Sequence, residues 1–205
     1  MKNSLLKDAM ILTAITLVAG LALGLVYEIT KAPIAKAEAD AQAKAYQTVF
    51  ADAVSFEELD GFDAAEATKL VQDAGYTEDD IVGVVAAEDG SSQALGYVIT
   101  VTSHAGYGGD ITFSVGITND GNINGYSITS ISETAGLGMK ATESKFSGQF
   151  VNIPVDTYTV TKTGKSADNE IDAISGATIT SRAMTGGVNA AVCYFESLTG
   201  GAAHE

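Results

Sequence analysis

With one cysteine and two histidines in 205 residues, this chain has few of the side chains that usually carry redox or metal chemistry. Cys193 has no partner for an intrachain disulfide. It also excludes a CxxC pair or an iron–sulfur cluster built by this chain alone. His104 and His204, the latter in a C-terminal tail, give little support to a His-ligated haem, and His104 reads as a surface or hydrogen-bonding residue. No nucleophilic triad, metal cage or Walker phosphate loop is recognisable. Any redox chemistry must therefore come from an organic cofactor or a neighbouring subunit. Positive charge is scarce as well: 11 basic residues face 26 acidic ones, for a net charge of -15. Four of each sign precede residue 41, so the remaining 7 basic and 22 acidic residues hold the whole imbalance. Nucleic-acid binding is disfavoured, because tracking phosphates needs a basic stripe. An acidic, self-repelling soluble surface is the simplest reading.

Charge is absent altogether from Ala9 to Tyr27 (AMILTAITLVAGLALGLVY). As a helix this run is roughly 29 Å long, close to the hydrocarbon thickness of a bilayer. A cleaved signal peptide competes, since Ala35-Lys36-Ala37 resembles a small-x-small cleavage site. The run is longer than a usual signal core and that site lies far beyond it, so an uncleaved anchor is expected. Lysines tie at two on each side, Lys2 and Lys7 against Lys31 and Lys36. The short basic N-terminus and the long acidic remainder place the N-terminus in the cytoplasm and the C-terminal domain outside the cell membrane. Gly20 and Gly24 form a small-xxx-small pair suited to close approach by another membrane helix.

The expected organisation is a cytoplasmic N-terminus over 1–8, a membrane helix over 9–27, a juxtamembrane helical segment over 28–54, one domain over 55–198 and a tail over 199–205. Alanine-rich Ile34 to Phe50 favours helix. Ser55 and Glu58 have capping-box spacing, and Ala64 to Ala74 predicts a helix stopped by Gly75. Strands follow at Ile81 to Ala86 and Ala94 to Thr102. Asp110 to Thr118 sets Ile111, Phe113, Val115 and Ile117 at period two. Asn119-Asp120-Gly121-Asn122 signals a hairpin into Ile123 to Ile131. Paired strands of this kind predict a twisted, largely antiparallel sheet with one buried face. Met184, Val188, Ala191, Val192 and Phe195 form one stripe of a closing helix, weakened near its start by Gly186 and Gly187 and ended by Gly200-Gly201. The fold class is α+β.

Asp172-Ala173-Ile174-Ser175-Gly176-Ala177-Thr178, then Ile179-Thr180-Ser181, lies just before that helix. Backbone N–H groups and the helix dipole there favour a phosphate. Gly176 admits close backbone approach, Ala177 adds no bulk, and Thr178 offers a hydroxyl for a phosphate ester. Thr180 and Ser181 are candidate caps. The same residue types also make an ordinary loop and helix cap, and on chemistry alone both readings stand.

Asp-x-x-Ser-Gly-Ala-Thr resembles the flavinylation motif of the FMN-binding domain family, found in the Rnf and sodium-pumping NADH:quinone oxidoreductase complexes. In that family a magnesium-dependent flavin transferase joins FMN, through its phosphate, to the last threonine of the motif. The resemblance implies that Thr178 carries covalent FMN, that Asp172 and Ser175 belong to the recognition sequence, and that Gly176 and Ala177 give the transferase access. A second segment, Ser132-Glu133-Thr134-Ala135-Gly136-Leu137-Gly138, resembles the family's E-T-P-G-L-G stretch against the flavin, with Ala135 in place of proline. Tyr107 and Gly108, with Val115-Gly116-Ile117, resemble its G-Y-x-G…V-G-I pattern.

Length and the TITS sequence after Ala177 most resemble the G subunit of the Rnf complex, which couples electron exchange between ferredoxin and NAD to sodium or proton transport. The implied role is an electron-carrying subunit of an ion-translocating oxidoreductase, embedded in the membrane beside the complex's other membrane subunits. Hydride exchange with NAD then belongs to another subunit. Lys140 is a candidate to offset the acidic field near the flavin, or else a solvated lysine. Tyr107 is a candidate to stack on the flavin, or else a hairpin tyrosine. The alternatives are a C-type subunit of the sodium-pumping quinone reductase, a stand-alone flavinylated protein of extracellular electron transfer, and an anchored binding module without cofactor.

Overall fold

A computed structural model describes residues 2–153 and 157–200, with side chains from Leu6 onward. His204, Gly201 and the expected tail beyond it, and the side chain of Lys2, lie outside the described residues.

Two units are distinguished, 1–41 and 42–205. The first is the greater part of helix α1 (Lys2–Val49), in which the expected membrane and juxtamembrane helices are one continuous element. Pro33 sits inside it. Proline removes one N–H and crowds the carbonyl four residues back, yet the alanine-rich sequence that follows has enough helix propensity to carry the helix through. Residues 9–27 expose every side chain. This single long apolar helix is consistent with one membrane pass.

The second unit begins within the last turns of α1. Five strands, β1 (Ser55–Glu58), β2 (Asp79–Glu88), β3 (Ala94–Ser103), β4 (Ile111–Thr118) and β5 (Ile123–Ser130), pair antiparallel in sequence order. The β4–β5 turn is the Asn119–Asn122 hairpin, where the Gly121 N–H donates to the Thr118 carbonyl. Register across β3 and β4 sets Val101 beside Phe113 and Ile99 beside Val115. These side chains form the main core with helix α2 (Ala64–Asp73) and helix α4 (Thr178–Thr199), the short α3 (Ser144–Ser147) lying between them in sequence. Burying each of Met184, Val188 and Phe195 on α4 contributes about 1.5–3 kcal/mol.

Two expectations are corrected. Ser55 and Glu58 are not a capping box but the ends of β1, paired with Glu88 and Val85. The cap of α2 is Asp63, whose carboxylate accepts from the N–H groups of Ala65 and Glu66. The sheet is covered on both faces: Val98, Val85 and Ala87 pack under Tyr46, Val49, Phe50 and Ala53. The alternation seen in β4 is therefore between two interiors, and Gly116 is small because Val49 lies against it. The helix α4 runs unbroken through Gly186 and Gly187, and Gly187 admits the Phe113 ring, which a Cβ would approach to 2.6 Å. A parallel pair, β6 (Thr159–Thr161) with β7 (Glu170–Asp172), was not foreseen.

These last elements position the motif. Asn189 of α4 accepts from the Tyr158 N–H and donates to its carbonyl, fixing the entry to β6. The Ala173 N–H donates to the Thr161 carbonyl, so the chain leaves β7 along a set path into the 173–177 loop.

Candidate functional site

Thr178 is the first residue of α4. The preceding Ala177 makes no side-chain cap. The N–H groups of Thr178, Ile179 and Thr180 have no acceptor among the described residues, as expected of an uncapped helix start. The Thr178 hydroxyl is likewise unbonded among them. An anion placed there gains three donors and the helix dipole together. Thr180 and Ser181 are not the caps expected from sequence; both lie inside the first turn and are buried. The Ser181 hydroxyl donates to the Ala177 carbonyl and accepts from the Ile174 N–H, both at 2.9 Å. Its role is to tie the loop to the helix from behind.

Thr178 opens into a cavity of about 580 Å³ lined by Tyr107, Glu133, Thr134, Leu137, Gly138 and the run from Gly176 to Thr180. Three stretches distant in sequence thus meet at one hollow. Glu133 holds two of them together: its buried carboxylate accepts from the Tyr107 N–H at 2.7 Å and the Gly108 N–H at 3.2 Å. Gly138 closes the third contact. A Cβ there would come within 2.5 Å of Glu133 Oε2 and 2.7 Å of Thr180 Oγ1, distances that no side chain tolerates. Gly176 turns the loop at φ 77°, a conformation that costs glycine little.

Around the mouth, Tyr107 is 71% exposed, Leu137 41% and Ile179 51%. Three large apolar side chains left in water around one polar-floored hollow suit a flat, partly apolar ligand bearing an anionic end. The residues present therefore fit FMN: free helix-start donors for a phosphate, apolar walls for a ring.

Of the residues singled out from sequence, Gly136 shapes the turn at φ 75° but does not line the cavity. Asp172, Ser175 and Lys140 do not line it either; they border an adjacent groove. Ile179 was missed, although its exposure follows from its place off the Met184–Val188 stripe. Gln149 was missed too; its side chain accepts from the Asp172 N–H and donates to the Asp172 carbonyl, clamping the start of the motif. Nothing in the local sequence around Gln149 announces that pairing.

The family model described as "FMN-binding domain" matches residues 106–193, which take in all three cavity-forming stretches, and that described as "RnfG N-terminal region" matches residues 1–49. The chain is 34% identical over 200 residues to the G subunit of the proton-translocating ferredoxin:NAD(+) oxidoreductase complex of Clostridium ljungdahlii, covering 98% of this chain and 96% of that one. It is 31% identical over 196 residues to the G subunit of the Na(+)-translocating ferredoxin:NAD(+) oxidoreductase complex of Acetobacterium woodii, covering 94% and 92%. Among solved structures, the fold is similar to the C subunit of the Na(+)-translocating NADH-quinone reductase of Parabacteroides distasonis, with a TM-score of 0.53 at 20% identity over 79% of this chain and 95% of that one. An uncapped threonine at a helix start, faced by the Glu133 loop and preceded by a long apolar helix, thus stands in a sequence matched along nearly its whole length: the chain belongs to the family of G subunits of ion-translocating ferredoxin:NAD oxidoreductase complexes.

Proposed function

We propose that this chain is the electron-carrying G-type subunit of a ferredoxin:NAD oxidoreductase that translocates sodium or protons, and that it carries FMN as a phosphoester on Thr178. The observation that supports the tether most directly is the uncapped start of α4. There the Thr178 hydroxyl and three unpaired N–H groups converge on one cavity. When bound, FMN supplies redox chemistry that the chain's own side chains lack.

The protein's part is to hold and orient. The first-turn N–H groups receive the phosphate oxygens. Leu137, Ile179 and Tyr107 wall the ring, and Glu133 keeps the 107–108 backbone in place. Among the described residues around the cavity no nucleophile is paired with a base, which supports Thr178 as a tether and not a catalytic group. A covalent link has no dissociation equilibrium, which suits a domain placed outside the cytoplasm, where free cofactor is diluted. Loading requires a flavin transferase, and the finished protein works beside the complex's other membrane subunits. The near-complete coverage of G subunits favours this reading over a C-type subunit or a stand-alone flavoprotein.

The test is in-gel flavin fluorescence after denaturation, with the full chain co-expressed with a matching transferase. Wild type should fluoresce at its own mass and Thr178→Ala should be dark. A dark wild type under these conditions sinks the tether.

A further inference from the structure

Four of the seven basic residues beyond residue 41 stand around a single groove. Lys140 and Lys145 come from one side, Lys162 and Lys165 from the turn after β6, and the groove encloses about 660 Å³. All four are exposed. Among the described residues none forms an ion pair, the one lysine pair being Lys69–Asp73. Glu143 and Asp172 also line the groove, and Lys165 acts electrostatically on Glu170. Even so, in a unit with 22 acidic residues, four lysines around one groove without a formed ion pair are an arrangement that internal stability does not explain. Unpaired like charges repel one another, and carboxylates to pair with are abundant.

The groove's position gives it meaning. The motif straddles two hollows, with Asp172 to Ser175 lining the lysine groove and Gly176 to Thr180 lining the flavin cavity. The Gln149 clamp on Asp172 holds the shared wall in place. Anything seated in the groove is therefore within a few residues of the tether.

We propose that this groove docks an acidic surface of a redox partner protein within the complex, setting the partner's centre beside the flavin. The inference rests on the reading that Thr178 carries FMN. Each electron the flavin gains is one the partner's centre loses, so the contact itself requires no further reactant. Complementary charge suits such a contact because it orients and accelerates encounter while allowing release. A partner presenting carboxylates is attracted to the groove and repelled by the rest of this acidic surface, so charge selects the docking site as well as strengthening it.

Carbodiimide coupling on the purified whole complex tests this directly, since it joins lysines only to carboxylates in contact. Mapped peptides should show links from these lysines to acidic residues of another subunit at low salt, and the links should fade near about 1 M salt, where the screening length is about 3 Å. A Lys145→Ala, Lys162→Ala, Lys165→Ala variant should keep wild-type in-gel flavin fluorescence. It should also slow flavin reduction within the complex about tenfold at low salt. The proposal is overturned if intersubunit links from these lysines are absent while the complex stays assembled. It is equally overturned if the variant loses flavin, which would assign the groove to loading, or if the lysines instead hold the protein on vesicles of anionic phospholipid. A wild type without covalent flavin would strike the tether and not the groove, whose crosslinks are read independently.

Discussion

Glu133 serves the site through one oxygen, Oε1, which accepts from two backbone N–H groups of the 107–108 turn. Hydrogen bonds to a charged acceptor are worth about 1.5–3 kcal/mol each, and a buried donor left unpaired costs its full desolvation. Glu133→Ala should therefore destabilise the folded unit by about 3 kcal/mol and loosen the cavity mouth. Thermal unfolding of the detergent-solubilised full chain reads the first effect, and flavin fluorescence anisotropy the second. Glu133→Gln, which keeps an acceptor at the same place, should lose less than half as much. Equal losses for the two variants would show that the charge matters and the hydrogen bonds do not.

At the scale of elements, α4 carries Thr178 at one end and the core along its length, so core packing and the position of Thr178 are coupled. Gly187→Ala would push a methyl group to 2.6 Å from the Phe113 ring and 3.2 Å from Val101. Overpacking of this kind costs about 1–3 kcal/mol, and the unfolding midpoint should fall accordingly. An unchanged midpoint would mean that α4 can shift away from β4, against the close packing described above. Elements with a strong period were legible in sequence: β4, β5 and the hairpin between them follow from alternation and Asn-Asp-Gly. β1 was not, because Ser-x-x-Glu satisfies a helix cap and a short strand equally, and pairing with β2 decides. Three-residue β6 and β7 are too short to show any period. In the site, the residue types of the motif could be read directly. Its division between two hollows could not, because that depends on Gln149 reaching Asp172 from 23 residues away.

At the scale of the whole molecule, two titrating groups at the end of the sheet make stability depend on pH. His104 bridges Asp80 and Asp110 at 3.0 and 2.9 Å, and these partners raise its pKa from 6.5 to about 9. The charged form's contribution is full below pH 6.5 and is lost as pH rises through about 9. With the imidazole 41% exposed, screening reduces it to about 1 kcal/mol. Asp79, 4% exposed, is raised from 3.8 to about 6 by burial. Ser103 is its nearest polar relief, although neither the Ser103 hydroxyl nor Asp79 Oδ1 completes a hydrogen bond. A raised carboxyl costs stability once ionised, so the penalty, about 3 kcal/mol, is absent below pH 3.8 and complete above about pH 6. Asp79→Asn should thus stabilise the protein at about pH 8 and not at about pH 3.5. His104→Gln should flatten the decline between pH 6.5 and 9. Melting curves across that range check both, and a wild type whose stability rises from pH 6.5 to 9 would refute the His104 assignment.

Anchor, acidic surface and cavity serve one function only if the flavin is joined where α4 begins. Mass spectrometry of the peptide containing residues 175–182, from protein matured with its transferase, measures this most directly. The expected result is a mass increment of one FMN less one water, localised by fragmentation to Thr178 and absent from Thr180 and Ser181. An unmodified peptide, or the increment on another residue, would contradict it.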